Sequence, residues 1–160
     1  MDRFDVQDGM VYPVQIRYAG GNAVVGFCWT PAGDDALLKD GTGIRCFDSI
    51  EELCAFCEDN ALILSEETVC YDYTIVPANP VLYRQVLDRW NLLSTVSQTT
   101  GMYFSGNEKK YNRLYDRLFY LCTSAVPISD RSWLNESELK QMKTVFRRQN
   151  RLLERALRKR

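Results

Sequence analysis

Apolar and polar residues alternate between Met10 and Tyr18, with Val14, Ile16 and Tyr18 on one side of an extended chain. Pro13 within that run predicts an edge strand or a bend, because proline donates nothing to a strand ladder. Gly20-Gly21 followed by a second alternating run, Asn22 to Thr30, completes the signature of a hairpin. Pro31, Gly33, Gly41 and Gly43, set among acidic residues, mark a loop. From Gly43 to Val76 the pattern is strand, helix, strand. Ile44-Arg45-Cys46-Phe47 is rich in β-formers, and Ser49 with Glu52 three residues on is a capping box. Ile50, Leu53, Cys54 and Cys57 then form an apolar stripe that leaves Glu51, Glu52 and Glu58 outside. Val69 to Val76 alternates again, with Val69, Tyr71, Tyr73 and Ile75 on one side. The interval between the two strands suffices for a right-handed crossover between parallel neighbours.

After Asn79 the period changes to that of a helix. Asn79-Pro80 is an N-cap with proline at the first helical position. Leu82, Val86, Leu87, Trp90 and Leu93 continue the stripe, which places Trp90 in the core, and Gly101 stops it. Ser105 with Glu108 predicts a second capping box before the stripe Tyr111, Leu114, Tyr115, Leu118, Phe119, Cys122. Pro127 ends that helix. Asn135 with Glu138 opens a last one, with Leu139, Met142, Val145, Phe146, Leu152, Leu153 and Ala156 inward. The expected fold is α+β: a mostly antiparallel sheet with one crossover helix, covered by three C-terminal helices. Residues 1–160 form a single domain, with a sheet-rich part (1–76) and a helical part (79–160) around one core.

A chain of 160 residues, 46% hydrophobic and 26% charged, is long enough to bury a core without staples. No apolar run approaches a membrane span and the N-terminus lacks a basic-then-apolar signal, so the expectation is a cytoplasmic protein. Histidine is absent, which excludes Ser-His and Cys-His nucleophile pairs and lowers the prospect of general acid–base catalysis near neutrality. Six cysteines offer one close pair, Cys54 and Cys57. That pair lies a turn inside its helix, away from the N-terminal position that activates a redox CxxC, and no second pair completes a zinc site. Reduced core thiols are expected, with no metal and no cofactor. Asp34, Asp35, Asp40 and Gly41 lack the spacing of a calcium loop, and Gly20-Gly21 lacks that of a phosphate loop.

Charge is divided unevenly. Residues 1–80 carry fourteen Asp or Glu against four Lys or Arg, and residues 81–160 carry seven against sixteen. In the last helix Lys140, Lys143, Arg147, Arg151 and Arg158 recur along one side, flanked by Arg148 and Arg155. Three roles fit that stripe: a solvated helix back favoured by the macrodipole, a phosphate-binding surface centred on Arg147, Arg148 and Arg151, or packing on an acidic surface of this or a second copy. A pI of 5.6 and aromatic residues confined to apolar stripes weigh against nucleic acid. The acidic set is Asp34, Asp35, Asp40, Glu51, Glu52, Glu58, Asp59, Glu66 and Glu67. It reads either as a solubilising surface or as a docking face for a basic partner, with Trp133 as an exposed aromatic anchor.

Three short patches carry a family resemblance. Phe47-Asp48-Ser49-Ile50-Glu51-Glu52-Leu53, Asp88-Arg89-Trp90-Asn91 and Tyr115-Asp116-Arg117-Leu118-Phe119 together resemble small bacterial immunity proteins. Those proteins are encoded beside polymorphic or contact-dependent growth-inhibition toxins. The resemblance implies a cytoplasmic, non-catalytic protein that binds one cognate toxin C-terminal domain and occludes its active site. Many such toxins are nucleases with basic clefts, which an acidic docking face would suit. Binding residues differ from one immunity pair to the next, so none is carried over by the resemblance.

Overall fold

A computed structural model describes residues 6–74, 83–123 and 134–157 of the chain. Two nine-residue strands, β1 (Met10–Tyr18) and β2 (Gly21–Trp29), form the expected antiparallel hairpin around an Ala19-Gly20 turn, with Tyr18 opposite Gly21 and Tyr12 opposite Phe27. The free side of β2 takes two short antiparallel strands: β3 (Asp35–Leu37) beside Phe27–Trp29, and β6 (Cys46–Phe47) beside Val24–Val25. Between them in sequence, β4 (Lys39–Asp40) and β5 (Gly43–Ile44) make a separate two-stranded ribbon. The free side of β1 takes β7 (Ile63–Leu64) and β8 (Val69–Asp72), both parallel to it.

Two expectations change here. β1 is a central strand and not an edge, in spite of Pro13. The carbonyls of Val11 and Arg17 accept from Ser65 and Tyr73, so odd-numbered residues of β1 turn their backbone toward β7 and β8. Pro13 therefore meets the gap between those two strands, where a missing N–H breaks no ladder. The strands flanking the crossover helix are parallel, as expected, but they are not neighbours: β2 and β1 lie between β6 and β8.

That helix, α1 (Ile50–Asp59), crosses one face of the sheet. Ser49 caps it by accepting from the Glu52 N–H at 3.2 Å, while the Glu52 carboxylate reaches back one residue further than a capping box requires, to the Asp48 N–H at 2.8 Å. Leu53 and Cys57 are its buried positions, packed with Val11, Val24, Cys28, Leu38 and Phe47. The opposite face carries the helical half: α2 (Tyr83–Thr100), α3 (Asn112–Thr123), α4 (Glu136–Phe146) and α5 (Gln149–Ala156). Val14, Ile16, Ala23, Val25 and Leu37 from the sheet join these helices in a much larger core. With both faces covered, Ala23 to Gly26 of β2 are all buried.

Helix α2 lies against the sheet and is buried on most sides. Trp90 sits at its centre, 2% exposed, with the rings of Phe104, Tyr115 and Phe146 at 6.4, 5.6 and 6.1 Å. Gly101 ends α2 at φ 73°, where its N–H bonds the Ser97 carbonyl. The Asn79-Pro80 cap lies outside the described residues. The Asn135–Glu138 capping box forms in both directions, at 2.8 and 3.0 Å. Ser105 is different: its hydroxyl donates to the Val145 carbonyl, and residues 105–111 make two 3-10 turns before α3 begins at Asn112. The last helix is also two. The chain leaves helical geometry at Arg148 (φ −111°, ψ 17°), so among the described residues four helices follow the sheet where periodicity predicts three. The break lets Gln149 Nε2 and Asn150 Nδ2 donate to the Tyr73 carbonyl, at 2.9 and 3.3 Å, closing the end of the sheet.

Candidate functional site

Helix α1 needs only a narrow apolar stripe, so its outer side is free for charge. Glu51, Glu52, Glu58 and Asp59 are exposed there, and Glu66 and Glu67 are exposed on the loop that follows β7. From Asp48 to Glu67 the chain holds seven acids and no Lys or Arg. Glu51, Glu52, Glu58, Asp59, Glu66 and Glu67 take part in no ion pair among the described residues. The other three acidic candidates lie elsewhere. Asp40 is 3.6 Å from the Arg45 guanidinium, which also lies over the Phe56 ring at 4.8 Å. Asp34 donates its N–H to Thr30 Oγ1 in the turn after β2. Asp35 stands opposite Trp29 and accepts its indole N–H at 3.0 Å, on the sheet face that α2 covers. The structure thus places four members of the acidic set on α1 and two on the loop after β7, with Asp34 in the turn after β2, Asp35 on the α2 side of the sheet, and Asp40 paired with the arginine that covers Phe56 of α1. Trp133 lies outside the described residues.

The basic residues converge on the opposite layer. An open groove of about 720 Å3 runs between residues 102–111 and the α4–α5 junction. Lys110, Arg147, Arg148, Arg151 and Arg155 line it, against one carboxylate, Glu108. All five cations are exposed, and the four arginines take part in no ion pair among the described residues. Glu108 is held by the Tyr103 hydroxyl and by Lys110 at 3.2 Å, which pushes the Lys110 ammonium pKa upward. Aromatic residues do lie among these cations, contrary to the separation expected from the stripes. Tyr103 is 68% exposed at the groove and the Tyr111 ring is 5.2 Å from Lys110 Nζ. Gln149, also lining the groove, is buried, with Oε1 lacking any hydrogen-bond partner. The helix break at Arg148 and the irregular 105–111 segment build this groove, and neither is visible in periodicity.

A third feature was not anticipated from the sequence. On the α2 side of the sheet, a notch of about 260 Å3 opens between β1, β2, β3, β8 and α2. Trp29 forms one wall, with Tyr12 at 5.2 Å and 77° and Phe27 at 5.3 Å and 85° to its plane. Val69, exposed on β8, and Tyr71 continue the lining, and Asp35 and Asp88 supply carboxylates. Burial and the nearby Asp88 charge raise the Tyr71 pKa. One signal was available: a two-residue turn at Ala19-Gly20 puts Tyr12 opposite Phe27 and diagonal to Trp29.

No cysteine is in a disulfide among the described residues. Cys28 and Cys57 are buried in the α1-side core, where desolvation pushes both thiols up to about 11. Cys70 is exposed. No group of three or more Cys, Asp or Glu is arranged to hold a metal among the described residues, and no helix there is long and apolar enough to cross a membrane. Two of the patches that carry the family resemblance meet: Tyr115 packs against Trp90 at 72° between ring planes and donates its hydroxyl to Asn91 Oδ1 at 2.6 Å. No known protein family matches the chain, and neither a curated protein nor a solved structure matches it significantly.

Proposed function

We propose that the protein is an immunity protein: a binding protein without chemistry of its own that docks on a toxin domain and occludes its active site. The single observation that supports this is helix α1, whose Glu51, Glu52, Glu58 and Asp59 are exposed and take part in no ion pair among the described residues. A field of one sign on a rigid surface steers a basic partner and rejects others. The face rests on a helix packed across the sheet, so it is presented without an ordering cost at the moment of binding.

The test pairs the protein with the C-terminal domain of a toxin-like protein, should the neighbouring gene encode one. Wild type is expected to restore growth on co-expression and to form a stable complex. Glu51→Lys, Glu58→Lys and Asp59→Lys combined are expected to slow association by roughly tenfold or more at low salt and to flatten its salt dependence. Glu52 is left in place because it caps α1, and Asp35 because it holds Trp29. Unchanged association and salt response would remove the acidic face from the mechanism. A second reading, a nucleic-acid-associated regulator, is favoured by the cationic groove and its exposed Tyr103. It requires a salt-sensitive gel shift that is lost when Arg147, Arg148 and Arg151 become Gln, with the α1 variant behaving as wild type.

A further inference from the structure

We infer that the notch walled by Tyr12, Phe27 and Trp29 is a receptor for one arginine side chain presented by a protein partner. This deepens the immunity reading by naming how a basic partner would be anchored, and it rests on that reading only for the partner's identity. Size is the first argument. At about 260 Å3 the notch is smaller than the pockets that hold drug-sized ligands or cofactors, and a single long side chain suits it.

The lining supplies the second. Aromatic faces attract a cation placed over them, and the planar guanidinium stacks on them better than an ammonium does. Trp29, the ring that favours such contact most, is held by near-perpendicular packing with Tyr12 and Phe27 and at its N–H by Asp35. The wall is therefore rigid before binding. Charge is the third argument. Asp35 and Asp88 face the notch and no Lys or Arg lines it; Arg84 touches its surroundings only from outside, 3.2 Å from Asp88. Asp35 spends one oxygen on the Trp29 indole, and its other oxygen has no hydrogen bond among the described residues. A guanidinium over the Trp29 ring would meet that oxygen in a charge-assisted hydrogen bond. An uncharged aliphatic side chain would fill the same volume but leave both carboxylates partly desolvated, which disfavours it.

The experiment uses the full chain, 15N-labelled, titrated at fixed ionic strength with the tripeptides Gly-Arg-Gly, Gly-Lys-Gly, Gly-Leu-Gly and Gly-Glu-Gly. The readout is the Trp29 indole N–H resonance, assigned by its loss in Trp29→Phe. Gly-Arg-Gly is expected to shift it saturably in the millimolar range, Gly-Lys-Gly more weakly, and the other two not at all. Asp35→Asn, which keeps an acceptor for the indole, is expected to weaken Gly-Arg-Gly roughly five- to tenfold. The backbone spectrum of each variant reports whether the fold is retained. Equal binding of Gly-Leu-Gly would make the notch merely apolar and overturn the inference. So would a Trp29 indole that no peptide shifts, or an Asp35→Asn variant that binds as wild type does. No toxin enters this measurement. Failure of the notch therefore leaves the acidic-face reading standing, and failure of that reading leaves the notch's affinity for arginine measurable.

Discussion

The two faces of the sheet are built on different scales. On the α1 side the core has seven buried residues; on the α2–α5 side it has twenty-six, counted among the described residues. The larger core draws on strands and on four helices, with Trp90 enclosed by three aromatic rings. The smaller one closes under a single ten-residue helix whose Ile50, Cys54 and Phe56 are only half-buried. Charge follows the same division, acidic over the small core and basic at the far edge of the large one. Apolar burial provides most of the favourable folding free energy, so the layer that contributes less of it is the freer to be chosen for its surface. A short helix with a narrow stripe can change its outer residues with little effect on stability. The thick layer cannot, and its charges gather where its elements break, at Arg148 and in the 105–111 turns.

This contrast is open to measurement by denaturant unfolding. Trp90→Ala in the thick layer is expected to remove about 3–5 kcal/mol. Leu53→Ala, fully buried in the thin one, is expected to cost less, about 2–3 kcal/mol, because half-exposed neighbours let the site relax or hydrate. Equal losses would show that the two cores are energetically alike. Asn135→Ala removes one half of a complete capping box within the thick layer and is expected to cost about 1 kcal/mol. The smallest effect is in alkaline solution. Cys28 and Cys57 both belong to the thin layer, and burial raises each from the ordinary 9.0 to about 11. Their contribution is fully present below pH 9 and is lost as pH rises toward 11, since the unfolded chain ionises first. Tyr73 in the thick layer, raised well above its ordinary 10.0, adds its own loss only above pH 10. Stability is thus expected to begin falling between pH 9 and 10 in wild type, and to stay flat there in a Cys28→Ala, Cys57→Ala variant measured against its own pH 8 value.

Local chemistry alone accounts for much of this fold. Alternation with Gly20-Gly21 specifies the β1–β2 hairpin, Ser49 the start of α1, Gly101 the end of α2 and Asn135–Glu138 the start of α4. Each of these is decided by hydrogen bonds and dihedral angles within a few residues. Charge counting finds the acidic run from Asp48 to Glu67 for the same reason: it is contiguous. What alternation leaves open is strand order, because it assigns a side to each residue and no neighbour to the strand. Hence β6 and β8 end up two strands apart. Periodicity leaves the break at Arg148 open as well, because the inward positions Val145, Phe146, Gln149 and Leu153 keep helical spacing across it.

The candidate surfaces divide in the same way. Pairing within β2–β3 puts Asp35 beside Trp29 and away from α1, although it stands only sixteen residues before Glu51. The basic groove joins Tyr103 and Lys110 to arginines some forty residues later, and the aromatic notch joins four strands and a helix. Residue types and local order were determined by the sequence itself. Which of them face one another was decided only by packing on the two sides of one sheet, because proximity between distant segments depends on long-range burial that no short window contains.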